Sequence, residues 1–583
     1  MTANPDVGTV LLVATAVLPW IMAAAFAVPR LRSLAIAAAP LAAAPAVALA
    51  IVGEPGTAIE IPWLFKHTVL LLDQTGKVFL GFTGLLYMAA AWYARSYLKH
   101  DPVKVRFFFL LLLAMGGNLG LILADDIPTF FASFAIMGFA SAGLVSHRID
   151  DRTRRAARIY LSLTMIGEVV ILTGLIFLIV HDGTMEISGL HRGEPHGLAM
   201  FVVLVGFGIK AGALTLHFWL PLAHPAAPIP ASAVLSGAMI KAGLLGWIRF
   251  LPLGEMAEPV LGSVFITAGL AAALLGALAG VVQTNPKTVL AYSSICQMGI
   301  LMTGLGIGAI EPRAWPGILS AVLIYTAHHA LAKGALFLGI GPSTAARGRW
   351  EVLTARIGML IPALALAGAP LTSGALAKVA LKSNLVFLPD GWARALGIIL
   401  PLAAVGTSAM MIRLLWLLWR PATEQPEHSA DGEWAPWLSL VAAVVAAAWL
   451  LPGAFDWLGV TLSPGKLWLA TWPLFAGGLL SALAAGFRRR LNIDPSNWVP
   501  PGDVGVILGR LFAPLHMSAR AQPPAEDGHE YCDDQSETDS RGASVLGWIG
   551  QMLALGEETL ASWPVAGATL LVVTGSLLAL LIG

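Results

Sequence analysis

Charged residues are scarce in this sequence: Asp, Glu, Lys and Arg make up 12% of 583 residues, against 57% hydrophobic residues. Soluble domains carry about 25% charged residues, so an ordinary soluble protein is excluded and a polytopic membrane protein is implied. The formal net charge is +1, and no basic stripe with interleaved aromatics occurs, which excludes nucleic acid as an expected partner. Cysteine is nearly missing. Cys296 in an apolar span and Cys532 in a polar stretch offer neither a disulfide framework nor a cluster of metal ligands. There is also no CxxC pair, no dinucleotide-binding GxGxxG after a strand and no phosphate loop. No cofactor and no metal are therefore expected, and any electron transfer belongs to another subunit. That leaves open whether the chain is part of an enzyme.

What is abundant is apolar sequence in runs of about 20 residues, the length that spans a bilayer. Spans are expected near 8–28, 34–53, 76–97, 106–124, 127–146, 158–181, 198–222, 230–250, 258–282, 288–310, 316–341, 357–386, 395–419, 435–452, 467–487 and 564–582. The fold class is thus all-α and polytopic, with about sixteen transmembrane helices. The run from Val7 to Val28 has no basic residue ahead of it and reads as the first span rather than a signal peptide. Of the 35 Lys and Arg residues, 22 fall in connections after odd-numbered helices and 7 after even-numbered ones. This bias places the odd connections in the cytoplasm and both termini on the non-cytoplasmic side, as expected of a bacterial inner membrane protein. The polar stretch at 488–563 reads as an excursion with a disordered acidic insert, AQPPAEDGHEYCDDQSETDSRG, followed by an amphipathic surface helix.

Six cations remain, and all lie inside expected spans: Lys210, Lys241, Lys333, Lys378, Lys382 and Arg413. A charge at the centre of a span costs roughly 2.5 to 3.5 kcal/mol or more unless paired or hydrated. The one clear acid inside a span is Glu168. Five lysines and one glutamate cannot balance as structural ion pairs, so some lysines must be neutral part of the time. Desolvation disfavours the charged form of a lysine and a nearby carboxylate favours it, so such residues can load and release protons. Snorkelling to a headgroup is an equal alternative for Lys382 and Arg413.

The stretch GFGIKAGALTLHFWLPLAHPAAPIPASAVLSGAMIKAGLLGWIR, 206–249, carries Lys210 and Lys241 on either side of Pro221, Pro225, Pro228 and Pro230. Prolines remove backbone donors and clash with the preceding turn, so the helix with Lys210 is expected to break near Thr215 to Pro221. His217 and His224 flank that break and either bond freed carbonyls or pass protons. In IYTAHHALAKGALFLGIG, the spacing puts Tyr325, His329 and Lys333 on one helical face as a polar ladder, with His328 pointing elsewhere as a core residue. A second break is expected in IPALALAGAPLTSGALAKVALKSN, before Lys378. The two broken helices lie five apart in order, and an odd separation inverts the copies across the membrane. The organisation is then 1–105 for helices 1–3, 106–250 and 251–420 for two inverted five-helix repeats, 421–487 for helices 14–15, the excursion at 488–563 and a last helix at 564–583.

The segments IKAGALTLHFWLPLAHPAAPIPASAVLSGAMIKAGLLG, NPKTVLAYSSICQMGILMTGLG and HHALAKGALFLGIG resemble, in order, the antiporter-like membrane subunits shared by complex I, Mrp-type sodium/proton antiporters and membrane-bound hydrogenases. The resemblance runs from about Asp73 to Asn384. It implies a proton channel built from two inverted repeats, with Lys210 and Lys378 as the broken-helix lysines, Lys241 following the first, and His329 and Lys333 at the centre. It also implies other membrane subunits as partners in a lipid bilayer, with protons as the transported ion and sodium as the alternative or exchanged one. The family usually has a glutamate on the fifth helix beside the first lysine. Here Ala135 or a neighbour stands there, and Glu168 on the next helix is expected to take over the pairing. Thr215 stands where the family often has proline, which predicts a milder break. The helix count is similar to the distal complex I subunit, whereas NIDPSNWVPPGDV is similar to Mrp-type D subunits. A stand-alone proton-coupled transporter of a small solute and a non-pumping scaffold are the alternatives.

Overall fold

The computed structural model describes residues 6–491 and Val499, apart from 66, 149, 191–195, 421–431 and 451–462. The polar excursion after Leu491 and the expected span 564–582 lie outside the described residues. Every earlier expected span coincides with helix. The helices are α1 (Val7–Ala24), α2 (Pro29–Val52), α3 (Gln74–Tyr97), α4 (Lys104–Leu123), α5 (Ile127–Val145), α6 (Asp151–Asp182) and the broken α7 (Gly197–Ala211, then Trp219–Ala226). They continue as α8 (Ile229–Phe250), α9 (Pro259–Val282), α10 (Pro286–Ile310), α11 (Trp315–Leu338), the broken α12 (Arg349–Ala367, then Ser373–Ser383), α13 (Asp390–Leu418), α14 (Trp434–Leu450) and α15 (Pro464–Leu491). Among the described residues twelve helices are long and apolar enough to cross a membrane, and this is an integral membrane protein. A two-stranded antiparallel hairpin, β1 (Ala58–Ile61) and β2 (Thr68–Leu71), precedes α3 and was not legible in the apolar pattern.

α11 lies at the centre. It packs on α3, α8, α10, α14 and the second half of α12, and its span is buried along its whole length, whereas that of α15 is mostly exposed. A helix buried all round is apolar all round, so the few polar residues on α8, α10 and α11 face protein and not lipid. Small residues let backbones approach: a Cβ on Gly269 of α9 would lie 2.5 Å from the Gly299 carbonyl of α10.

The two breaks are built alike. In α7 the chain turns left-handed at Gly212 (φ 69°) and again at Thr215 (φ 73°); in α12 it does so at Gly368 (φ 88°) and Leu371 (φ 64°). In each, the residue after the glycine bonds back five residues, Ala213 to Gly208 at 2.9 Å and Ala369 to Leu364 at 2.9 Å. A four-residue turn follows in each, with Leu216 N–H donating to the Ala213 carbonyl and Thr372 N–H to the Ala369 carbonyl. This is the left-handed termination that satisfies the last carbonyls of a helix. The first break therefore runs from Gly212 to Phe218, ahead of the prolines, and Thr215 does not soften it. A β-branched residue at positive φ is strained by about 1–3 kcal/mol. The second break follows Pro362, which lies inside the first half of α12 without ending it.

Candidate functional site

Lys210 occupies the last turn of the first half of α7 and is 5% exposed. Its Nζ donates to the Tyr160 hydroxyl of α6 at 3.2 Å. That hydroxyl shares a 2.5 Å hydrogen bond with Ser141 Oγ of α5, and Ser141 also donates to the Gly138 carbonyl at 2.6 Å. The Lys210 ammonium further lies 5.8 Å from the ring of Phe134 and 5.5 Å from that of Tyr160, within cation–π range. Glu168, two turns after Tyr160 on α6, lines one small cavity with Lys210, Phe134, Thr164 and Trp219. At about 10 Å³ it has room for roughly one water. The buried Oε1 of Glu168 has no hydrogen-bond partner among the described residues, and Lys210 is the charge that acts on it. Gly138 makes the arrangement possible, because a Cβ there would collide with the Glu168 carboxylate. The α5 residues that meet this cavity region are Phe134 and Gly138; Ala135 is not among the lining residues.

The second cluster is central. α8 widens into a π turn at Leu235–Met239, and Lys241 follows it with its Nζ on the Ser236 carbonyl at 2.6 Å. Ser236 Oγ meets Ser294 Oγ of α10 at 2.8 Å. Lys333 of α11 donates to Ser293 Oγ and, at 2.6 Å, to the Leu290 carbonyl. Lys241 and Lys333 are both fully buried, as is His329, which lies within electrostatic reach of each. Among the described residues neither ring nitrogen of His329 has a hydrogen-bond partner, and the same holds for His224, which stacks on Phe337 with centroids 4.7 Å apart. His224 is within electrostatic reach of Lys333, Lys287 and Lys241. Lys287 at the start of α10 donates to the Ala227 carbonyl at 2.6 Å, between that centre and the connection after α9. His217 is buried beside the first break.

The third cluster is the second break. Lys378 donates to the freed carbonyls of Leu366 at 3.2 Å and Ala367 at 2.6 Å. His328 of α11 reaches the same region through Ser373, whose Oγ is 2.8 Å from its Nδ1. His328 is thus a hydrogen-bonded interior residue that joins α11 to the broken helix. Lys382 lines a cavity with Lys378 and Lys466. Arg413 instead donates to the Gln283 carbonyl at 2.9 Å and stacks on Trp416.

The ladder expected on α11 is only partly formed. Lys333 and His329 face the centre, but the Tyr325 hydroxyl turns to Gln297 Oε1 at 2.6 Å, and Gln297 continues to Thr407 of α13 at 3.0 Å. The residues absent from the sequence reading are mostly hydroxyls: Tyr160 and Ser141 beside Lys210, and Ser236, Ser293 and Ser294 beside the central lysines. Their signal was available, since hydroxyls within a turn or two of an intramembrane lysine are the groups able to accept from it.

Residues 124–400 match the family described as NADH:quinone oxidoreductase/Mrp antiporter, TM. Over that stretch the chain is similar to this antiporter-like family. Among its relatives, hydrogenase-4 component B of Escherichia coli is 26% identical over 294 residues, covering 48% of this chain and 44% of that protein. The fold is shared with a chain of the Mrp complex from Dietzia sp. DQ12-45-1b, at a TM-score of 0.72 and 22% identity over 94% of this chain and 62% of that one. It is also shared with a chain of the membrane-bound sulfane sulfur reductase, an archaeal respiratory membrane complex, at a TM-score of 0.64 and 21% identity over 80% of this chain and 99% of that one. The chain spans about half the length of the curated relatives it matches. Within this shared fold, the three clusters above lie on α5 to α7, on α8, α10 and α11, and on α11 and α12.

Proposed function

We propose that this protein moves protons across a membrane, or exchanges them for another cation, as a subunit of a larger membrane complex. The observation that carries this reading is the burial of Lys210, Lys241 and Lys333 at 5%, 0% and 0% exposure inside a membrane bundle. Among the described residues the buried carboxylates are Asp126, Glu168 and Glu433. Asp126 caps α5 and Glu433 bonds Tyr93, so Glu168 alone stands beside a lysine of the row. A structural role for so many buried ammonium groups would need more carboxylates than that, because an unpaired buried charge is strongly destabilising.

In this reading Glu168 and Lys210 form the loading pair, with Tyr160 and Ser141 holding the lysine when the carboxylate is protonated. Lys241, His329 and Lys333 form the central relay, with His224 and Lys287 leading from the connection after α9. His328 and Ser373 lead to Lys378. The two like-built breaks support an organisation as inverted repeats around 106–250 and 251–420. Ammonium groups close to one another disfavour each other's charge, so a proton arriving at one station drives the next to release its own. The energy source is a partner's redox reaction or an opposing ion gradient, and the membrane is the bacterial inner membrane with both termini on the non-cytoplasmic side.

The test is proton flux in vesicles carrying the assembled complex, comparing wild type with Lys210→Ala and Lys378→Ala. Both variants are expected to lose flux while the complex still assembles. Equal rates in all three would remove the reading and leave a scaffold.

A further inference from the structure

Lys378 and Lys382 of the second half of α12 and Lys466 in the first turn of α15 line a single cavity of about 40 Å³. Apart from the lysines its lining is apolar, with no carboxylate among the described residues. Lys382 is within electrostatic reach of Lys466 on one side and of Lys378 on the other. Lys378 spends two donors on the Leu366 and Ala367 carbonyls. Lys382 and Lys466 have no acceptor among the described residues, although both are partly buried. Holding one water takes on the order of 10–15 Å³, so the space admits a small ion with some of its water. Three converging ammonium groups without an acid create a strongly positive pocket with low-dielectric walls, the arrangement that concentrates counter-ions.

We propose that this cavity is an anion-binding site, with Lys382 and Lys466 as the direct ligands and Lys378 behind them. Two sources carry the required chemistry. One is a dissolved halide; the other is the phosphate of a lipid headgroup, since α15 lies largely exposed on the outside of the bundle and basic pockets between membrane helices hold anionic headgroups. Anion occupancy favours the charged form of all three lysines, so it holds a proton on Lys378 until the anion leaves. That consequence rests on Lys378 being a proton station, but the binding itself does not.

The experiment is thermal unfolding of the purified full chain in detergent at one ionic strength, in sodium chloride, in sodium gluconate, and in gluconate with phosphatidylglycerol. Wild type, Lys382→Gln, Lys466→Gln and Lys382→Arg are compared. Saturable stabilisation by chloride assigns a free halide; saturable stabilisation by phosphatidylglycerol in gluconate assigns a headgroup. In either case the half-saturating concentration is expected to rise about tenfold in each glutamine variant, and Lys382→Arg is expected to stay near wild type. Identical unfolding of wild type in all three media overturns the proposal, as does a glutamine variant that responds like wild type. Because no flux is measured, a chain that binds the anion but moves no protons would remove the proton reading and leave this one standing.

Discussion

Lys378 donates to the carbonyl of Leu366 across 3.2 Å, and Leu366 stands in the second break where Lys210 stands in the first, two residues ahead of the left-handed glycine. The first break takes its ammonium from its own last turn, and the second takes it from beyond the gap. In the second break the charge lies against carbonyls released at the C-terminal end of a half-helix, where a cation is favoured. Position in sequence is therefore less constrained than position of the charge. The double variant Leu366→Lys with Lys378→Leu is expected to recover part of the proton flux that Lys378→Leu alone removes. Flux in vesicles carrying the assembled complex measures it, and a double variant as inactive as the single one counts against the idea.

Gly138 leaves the space that the Glu168 carboxylate fills. Gly138→Ala should displace that carboxylate from the Lys210 cavity and slow proton flux about tenfold, equivalent to about 1.4 kcal/mol of barrier. Gly143→Ala on the same helix, which meets only the flexible end of Leu110, is the control and should retain flux. If both variants pump equally, the fit of Glu168 against α5 has no functional weight.

Much of this organisation was legible from residues alone. Lys210, Lys241, Lys333 and Lys378 stand out because a charge in an apolar run has few bland explanations. The breaks were legible too, but their positions were not. Prolines drew the first one towards Pro221, whereas Gly212 and Thr215 make it, because a left-handed turn needs no proline. Pro362 sits inside a helix whose end is set by Gly368. The hairpin 58–61/68–71 was missed because strands of four residues carry too little alternation to read. The Tyr325 ladder failed in part since helical spacing fixes a face but not a hydroxyl's partner, and Gln297 on α10 captured it.

Glu433 lies at the start of α14, outside the span, fully buried and hydrogen-bonded to Tyr93. Burial pushes its carboxyl up to about 7, and the Tyr93 hydroxyl only partly offsets this. A folded-state value above the ordinary 4.5 means that the native protein binds more protons than the unfolded chain between pH 4.5 and 7. Stability from this group is present below pH 4.5 and is lost as pH rises towards 7. Glu433→Gln keeps a partner for Tyr93 and cannot ionise. Its unfolding temperature should exceed that of wild type at pH 8 and match it near pH 4.5; a parallel pair of pH profiles would reject the assignment.

Cys296 is fully buried on α10, 3.6 Å from Thr407 and next to Gln297. It is a native reporter of water near the central relay. With Cys532 replaced by serine, a small methanethiosulfonate reagent should label Cys296 slowly at rest and several-fold faster during turnover, since a proton wire requires hydration. Labelling at one rate in both states, followed by mass spectrometry, would show that water does not reach this part of the centre.

His224 separates a proton relay from a packing residue. It is fully buried and stacks on Phe337, yet neither ring nitrogen has a hydrogen-bond partner among the described residues. A buried polar atom without a partner costs about 1–3 kcal/mol, so the imidazole weakens the fold unless transient water or a proton occupies it. His224→Phe preserves the ring and its stacking while removing both polar atoms. If His224 only packs, the variant should be as active as wild type. If it leads protons from Lys287 towards Lys333, the variant should unfold at the same or a higher temperature and still lose most proton flux. Measured together on the same preparation, unchanged flux assigns His224 to packing, and lost flux without lost stability assigns it to the path.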